Sequence, residues 1–368
     1  MSGPIRVLHI VTTMNRGGLE TMLMNYYRNI DRSKVQFDFL EHRNQKSDYD
    51  QEILLLGGKV YRISHLNPFS LKYRKELRQF FKNHSEYAIV HCHLDCMSSI
   101  PLIYAKKAGI KVCIAHSHNS NQDKNLKYLL KLFYKRRIPK VSTYLFACGE
   151  NAGRWMYGNN QFSILNNAVD TKEFVFDNHV RENMRENLHL QEKYIIGHVG
   201  RFNDQKNHSF IIEILKELVS MNKNVHLLLV GDGDLRQEIE KKVNNLKLNA
   251  YVTFYGKCDC VSNVMQAFDI FLFPSLYEGL PVTMVEAQSS GLKCFISDKV
   301  PKECIISDNV EILSLEDSAK LWAEHINKYH LGYERKNMMQ LICDHGFDIK
   351  SNTKKLEDFY IDEYKKNK

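Results

Sequence analysis

Short apolar runs separated by amphipathic, helix-length stretches recur along this 368-residue chain, and that alternation constrains its fold more than any other feature. Parallel strands need a crossover of a dozen or more residues, usually a helix, so the pattern dictates parallel sheets covered on both faces. In the first half the expected strands are Val7–Val11, Phe37–Leu40, Lys59–Arg62, Ile89–His91, Lys111–Ala115, Tyr144–Ala147 and Ser163–Leu165. Helices are expected over Leu19–Asn29, Lys72–Asn83 and Met97–Ala108, among others. After the charged stretch Asp177–Lys193 a second series follows: Tyr194–Val199, His226–Val230, Val252–Tyr255, Ile270–Phe273 and Lys293–Ile296. Length agrees with two cores, since domains usually run about 100–200 residues.

The expected fold class is therefore α/β, with two doubly wound, Rossmann-like domains facing a central cleft. The expected limits are 1–175 for the first domain and 176–345 for the second. A final segment, 346–368, contains the helix-like stretch Ser351–Lys366.

Apolar runs such as Ile270–Pro274 fall far short of the roughly 20 residues that cross a bilayer. Arg6 interrupts the N-terminal apolar segment, which therefore reads as a strand and not as a signal peptide. Nine cysteines without framework spacing suit a reducing compartment, so a cytoplasmic location is expected. The net charge of +8 favours anionic partners. No nucleic-acid fold signature accompanies it, and nucleic acid is not an expected partner.

Open parallel sheets bind ligands beyond the carboxyl ends of their strands, so the informative motifs are those just after strands. In Pro274–Gly291, PSLYEGLPVTMVEAQSSG, Pro281 suits the first turn of a helix. Glu278 then sits in the preceding loop and Glu286 inside the helix. The backbone N–H groups near Gly279, Leu280 and Val282, with the positive helix end, form an anion site. The bland alternative makes Glu278 a helix cap and leaves Glu286 in solvent.

Arg201 and Lys206 stand five residues apart in another strand-to-helix loop, IIGHVGRFNDQKNHSFIIE, and two such cations can bracket a diphosphate. LLLVGDGDL places Gly231 in a tight turn, but Arg236 occupies the third position of G-x-G-x-x-G, which weakens a dinucleotide reading. Gly17 and Gly18 fall in the loop after the first strand. AHSHNS, Ala115–Ser120, puts His116 directly after a strand and His118 two residues on. HCHLDC, His91–Cys96, invites a metal reading. A zinc site needs about four ligands, usually in paired clusters, and the other close cysteine pair, Cys258 and Cys260, lies in the second domain, so no metal or other cofactor is expected.

The E-x7-E motif within EGLPVTMVEA resembles the donor motif of retaining GT-B glycosyltransferases, in particular family 4 and its bacterial capsular and exopolysaccharide branch. G-R-x4-K-N at Gly200–Asn207 is similar to that family's diphosphate-binding pair. The resemblance spans nearly the whole chain in motif order. It implies a hexosyl transfer from a nucleotide diphosphate, with uridine the family-weighted base, to a hydroxyl of a glycan or lipid-linked acceptor with retention of configuration. Glu278 would then lie against the donor sugar and Glu286 would bind the ribose hydroxyls. Arg201 and Lys206 would hold the diphosphate, with Gly231, Gly17 and Gly18 lining the donor site. His116 would contact the donor sugar at the reacting centre, with His118 as the alternative. His93, His118 and Asn119 are the acceptor-side candidates.

Asn167, where the family usually has Gly, is expected to accept a positive φ. The last helix, as in this fold, would return to the first domain. A hydrolase using both glutamates as an acid and base pair, or a non-catalytic nucleotide-binding protein, are the competing classes.

Residues 124–140, KNLKYLLKLFYKRRIPK, combine Leu126, Leu129, Leu130 and Phe133 at helical spacing with interleaved basic residues. This suits a helix lying on an anionic membrane surface, hence peripheral attachment at the inner face of the cell membrane, and equally a helix packing its apolar face on the sheet.

Overall fold

A computed structural model describes residues 3–120, 128–258 and 260–368. The chain divides into two compact units, residues 1–168 with 349–368, and residues 169–348. The expected limits at 175/176 and 345/346 thus move to 168/169 and 348/349.

Unit 1 holds seven parallel strands: β1 (Ile5–Val11), β2 (Val35–Glu41), β3 (Val60–Arg62), β4 (Ile89–Cys92), β5 (Val112–Ser117), β6 (Tyr144–Ala147) and β7 (Ser163–Ile164). Their order is β3-β2-β1-β4-β5-β6-β7. Unit 2 holds β8 (Tyr194–Val199), β9 (Val225–Val230), β10 (Val252–Gly256), β11 (Ile270–Phe273), β12 (Lys293–Ser297) and β13 (Val310–Leu313), in the order β10-β9-β8-β11-β12-β13. Each expected strand is present. β13, with Glu311 inside it, was too short and polar to stand out in the sequence.

In both sheets the strand order reverses beside the first strand, between β1 and β4 and between β8 and β11. Crossovers leave in opposite directions there, which opens a crevice at the carboxyl ends of those strands. Every residue of β2, β8 and β9 is buried, as central parallel strands require.

The charged stretch after Asp177 is largely helical. Asp177 caps a helix, Asn178–Asn187, by accepting from the N–H groups of His179 and Val180. Arg181 and Arg185 of this helix both pair with Asp269, just before β11. Arg185 also donates to the Ala267 carbonyl at 3.0 Å. Its charges are therefore tertiary contacts of unit 2. The C-terminal helix, Ile349–Asn367, belongs to unit 1 and packs on β1, β2, β5 and the helix Gly18–Asn29. Asn167 is not among the positive-φ residues, so the backbone does not adopt the positive φ expected there.

Candidate active site

In unit 2, β8 ends at Val199, and the chain passes Gly200 and Arg201 into a single 3-10 turn, Asp204–Lys206. Asn207 then adopts the left-handed conformation, φ 54°, and opens the helix His208–Met221. Asparagine tolerates that region, and its amide donates to the Pro274 carbonyl at 3.2 Å. Gln205 continues the seam. Its side-chain amide donates to the Tyr277 carbonyl at 2.9 Å and to Glu278 Oε2 at 3.1 Å. Leu276 N donates to the Gln205 carbonyl at 2.8 Å. The loops after β8 and β11 are thus sewn together at the point where the strand order reverses.

The central contact of the seam is an ion pair, with Lys206 Nζ 2.6 Å from Glu278 Oε1 and 4.4 Å from the Phe273 ring centroid. The two side chains are only 14% and 6% exposed. Removing one partner of such a buried pair costs about 3–5 kcal/mol, because the other charge is left uncompensated. Sequence reasoning gave Lys206 and Glu278 separate tasks. It missed that they hold each other, and it missed Gln205 altogether, whose type and spacing carry no signal.

Pro281 turns out to be the residue before the helix, in an extended conformation, and the helix is Val282–Ser289. All of its residues except Thr283 are buried, Glu286 included. Burial, with a smaller contribution from the charge of Glu173, pushes the Glu286 carboxyl up to about 8. At neutral pH it is therefore mostly protonated, able to donate as well as accept. Leu280 is buried and Gly279 partly exposed at the helix entrance.

Gly231 has φ 133°, and a Cβ there would lie 2.1 Å from the Gly200 carbonyl oxygen. Only glycine satisfies both conditions. Gly231 N donates to the Gly256 carbonyl at 2.8 Å and Gly200 N to the Val230 carbonyl at 3.0 Å, which ties the ends of β8, β9 and β10 together. Arg201 is 63% exposed, 3.6 Å from Asp234, which is 88% exposed. That pair is weak enough for an incoming anion to displace.

In unit 1, Gly17 precedes the helix in extended backbone, and Gly18 is the first helical residue instead of a loop residue. A Cβ on Gly17 would lie 2.5 Å from Glu20 Oε2, whereas one on Gly18 would meet nothing within 4 Å.

The expectation for His116 needs a correction. β5 runs on to Ser117 because His116 and Ser117 pair with Phe146 and Ala147 of β6, so His116 is a strand residue, 1% exposed. His118, partly exposed, is the residue that follows the strand.

Period-two alternation and strand register bring His116 and His118 onto one face with His91, His93 and His9 of β1. His91 and His93 rings lie 4.3 Å apart between centroids, His116 and His118 4.1 Å, and His93 and His116 5.3 Å. His9 Nδ1 is 3.0 Å from His93 Nε2, and His93 Nδ1 is 2.9 Å from His118 Nε2. His91 Nδ1 meets the Tyr360 hydroxyl of the C-terminal helix at 2.6 Å. Burial pushes His9 and His118 down to about 3 and lowers His91, His93 and His116 well below the ordinary value, so the rings are neutral.

Asp95, at φ 45°, accepts from His118 N at 3.3 Å and from the Asn119 amide at 2.8 Å. His93, His116, His118 and Asn119 are thus brought together. The cysteines of HCHLDC do not join the rings. Cys92 points to the Ser98 carbonyl, and among the described residues the imidazole clusters contain no sulfur ligand.

The basic amphipathic segment forms a helix over Tyr128–Lys135 and breaks before a short helix at Ile138–Val141 that contains Pro139. Residues 124–127, including Leu126, lie outside the described residues. No residue of Tyr128–Lys135 is buried. Leu129 is 78% and Phe133 49% exposed. Arg137 lies 4.1 Å over the Phe133 ring, and Lys135 lies 4.2 Å over Trp155.

Comparison with known proteins assigns the two halves of the chain to paired families. Residues 16–173 match Glycosyltransferase Family 4, and residues 180–340 match Glycosyl transferases group 1. EpsF of Bacillus subtilis (strain 168), named as a glycosyltransferase, is 36% identical over 96% of this chain and 96% of its own. The chain belongs to the GT-B glycosyltransferases. A second member, the Escherichia coli UDP-Gal:α-D-GlcNAc-diphosphoundecaprenol α-1,3-galactosyltransferase, is 26% identical over 79% of this chain and 80% of its own. Among solved GT-B structures, Anabaena HepE in complex with UDP and glucose superposes with a TM-score of 0.81 at 15% identity, over 96% of this chain and 99% of that one. That likeness concerns the fold. Among the described residues no helix is long and apolar enough to cross a membrane.

Proposed function

We propose that this glycosyltransferase moves a hexose from a UDP-sugar to a hydroxyl of a glycan or lipid-linked acceptor, with retention of configuration, in the assembly of a capsular or exocellular polysaccharide. The observation that carries this reading is the Lys206–Glu278–Gln205 seam at the carboxyl ends of β8 and β11, at the entrance of the buried helix that carries Glu286. The UDP-galactose donor and diphosphoundecaprenol acceptor in the name of the E. coli relative support the donor and acceptor classes. UDP and glucose in the HepE complex support the nucleotide.

On this reading the diphosphate is met by Arg201, Lys206 and the amides near Gly279, Leu280 and Val282. These donors stabilise the charge that grows on the leaving group, so the transfer itself needs no metal. Lys206 is shared between Glu278 and the diphosphate. Glu278, held by Gln205, faces the sugar, and Glu286 hydrogen-bonds the ribose hydroxyls. His116 contacts the donor sugar, and His93, His118 and Asn119 serve the acceptor side.

The test is transfer from a panel of UDP-sugars to a lipid-diphosphate-linked acceptor, with the anomeric configuration of the product read by NMR. Glu278→Gln and Lys206→Ala are each expected to lower turnover by about 10²-fold or more. Near wild-type transfer by both variants, or free sugar as the sole product, would end this assignment.

We further infer that the acceptor is met at an anionic lipid surface by the helix Tyr128–Lys135, whose Leu129 and Phe133 face outward among basic side chains. Sedimentation with anionic vesicles should be lost on changing Lys131, Lys135 and Arg136 to glutamate. Unchanged sedimentation would sink the idea.

A further inference from the structure

The imidazole array of unit 1 contains more unpaired nitrogen than a packed core tolerates. Neither His116 nitrogen has a hydrogen-bond partner, and His118 Nδ1 and His9 Nε2 have none either. His116 is 1% exposed and His9 fully buried. An unsatisfied buried polar atom costs about 1–3 kcal/mol, so several in one cluster call for a common partner.

His93, His116 and His118 each offer a ring nitrogen within 4.8 Å of the other two. A zinc-type ion bound at 2.0–2.1 Å from three such atoms needs them about 3.4 Å apart, which modest ring rotations supply. His93 Nδ1 and His118 Nε2, now 2.9 Å apart, would open slightly to admit the ion. His93 Nε2 would then donate to His9 Nδ1, the kind of outer hydrogen bond that fixes a ligand's tautomer and orientation. His118, partly exposed, supplies the access route. The neighbouring set His9, His91 and His93 is buried throughout, and His91 Nδ1 is already engaged by Tyr360.

We propose that His93, His116 and His118 form a binding site for a divalent transition-metal ion of the zinc class, with a fourth position open to water or an acceptor group. The site joins the ends of β4 and β5. It is built from residues of unit 1 alone and stands whether or not the transfer reading does. Three neutral nitrogen donors select zinc, cobalt, nickel or copper over magnesium, calcium and manganese, which prefer oxygen.

The experiment is a Co²⁺ titration of the untagged full chain, followed by its visible ligand-field bands and then by Zn²⁺ competition. The expected result is one equivalent per chain, bands of low-coordinate cobalt, and their displacement by Zn²⁺. His93→Ala and His118→Gln should each weaken binding at least about tenfold, and His9→Phe by about 10–100-fold as an outer-shell loss. His226→Gln, which alters a buried histidine of unit 2 bonded to Thr253, should leave it unchanged. Should His93→Ala fail to fold by circular dichroism, the more exposed His118→Gln decides the matter. No stoichiometric bands, or bands that persist in His118→Gln, would overturn the proposal.

Discussion

Glu286 is one carboxyl whose environment, more than its position in a motif, sets its behaviour. Its folded-state value of about 8 lies above the roughly 4.3 of an unfolded glutamate. The folded protein therefore holds a proton that the unfolded chain releases, and stability must fall as pH rises between those two values. Glu286→Gln removes that proton linkage. In urea unfolding at pH 5 and pH 8, the wild type should lose more stability across the interval than the variant, and equal losses would refute the burial of this charge. Lys206 and Glu278 show a different arrangement, a buried carboxylate and ammonium that meet at 2.6 Å. A double-mutant cycle on that pair should give strong coupling, because either single change strands the other charge.

At the scale of elements, the C-terminal helix Ile349–Asn367 is fastened at its centre by a side chain that periodicity marks only as apolar, alongside the bonds of Glu357 to Asp31 N and Lys34. Tyr360 is fully buried, and its hydroxyl reaches His91 Nδ1 at 2.6 Å. Tyr360→Phe keeps the ring packing and strands the imidazole. The expected cost is about 1–3 kcal/mol, and adding His91→Phe should recover much of it, since an apolar pair replaces an unsatisfied group. Thermal or urea melts of the three variants measure this. The helix Asn178–Asn187 teaches a related lesson. Its tertiary role was hidden in sequence because nothing in Arg181 and Arg185 announces a shared partner in Asp269, more than eighty positions away.

For the whole molecule, the chain completes unit 1 only after it has built unit 2. Deleting residues 349–368 should therefore loosen unit 1 and leave the donor residues of unit 2 in place. Limited proteolysis of the truncated chain should digest unit 1 while a fragment near residues 169–348 resists. Uniform resistance, or uniform digestion, would contradict the division into units.

The sequence by itself determined most of the strands and helices, the parallel α/β class, the loops that carry Glu278, Arg201, Lys206 and Gly231, and the helical place of Glu286. Those depend on periodicity, glycine and proline placement, and residues close along the chain. Tertiary structure alone decided that Lys206 bonds Glu278 across 72 positions, that Gln205 braces them, and that His9 and His116 join His91, His93 and His118 in one array. Whether two distant side chains meet depends on strand order and on a register in which a one-residue slip turns every side chain to the other face. The extension of β5 to Ser117 was such a case. Its pairing with β6 made His116 a buried strand residue, where the local pattern had left it just outside.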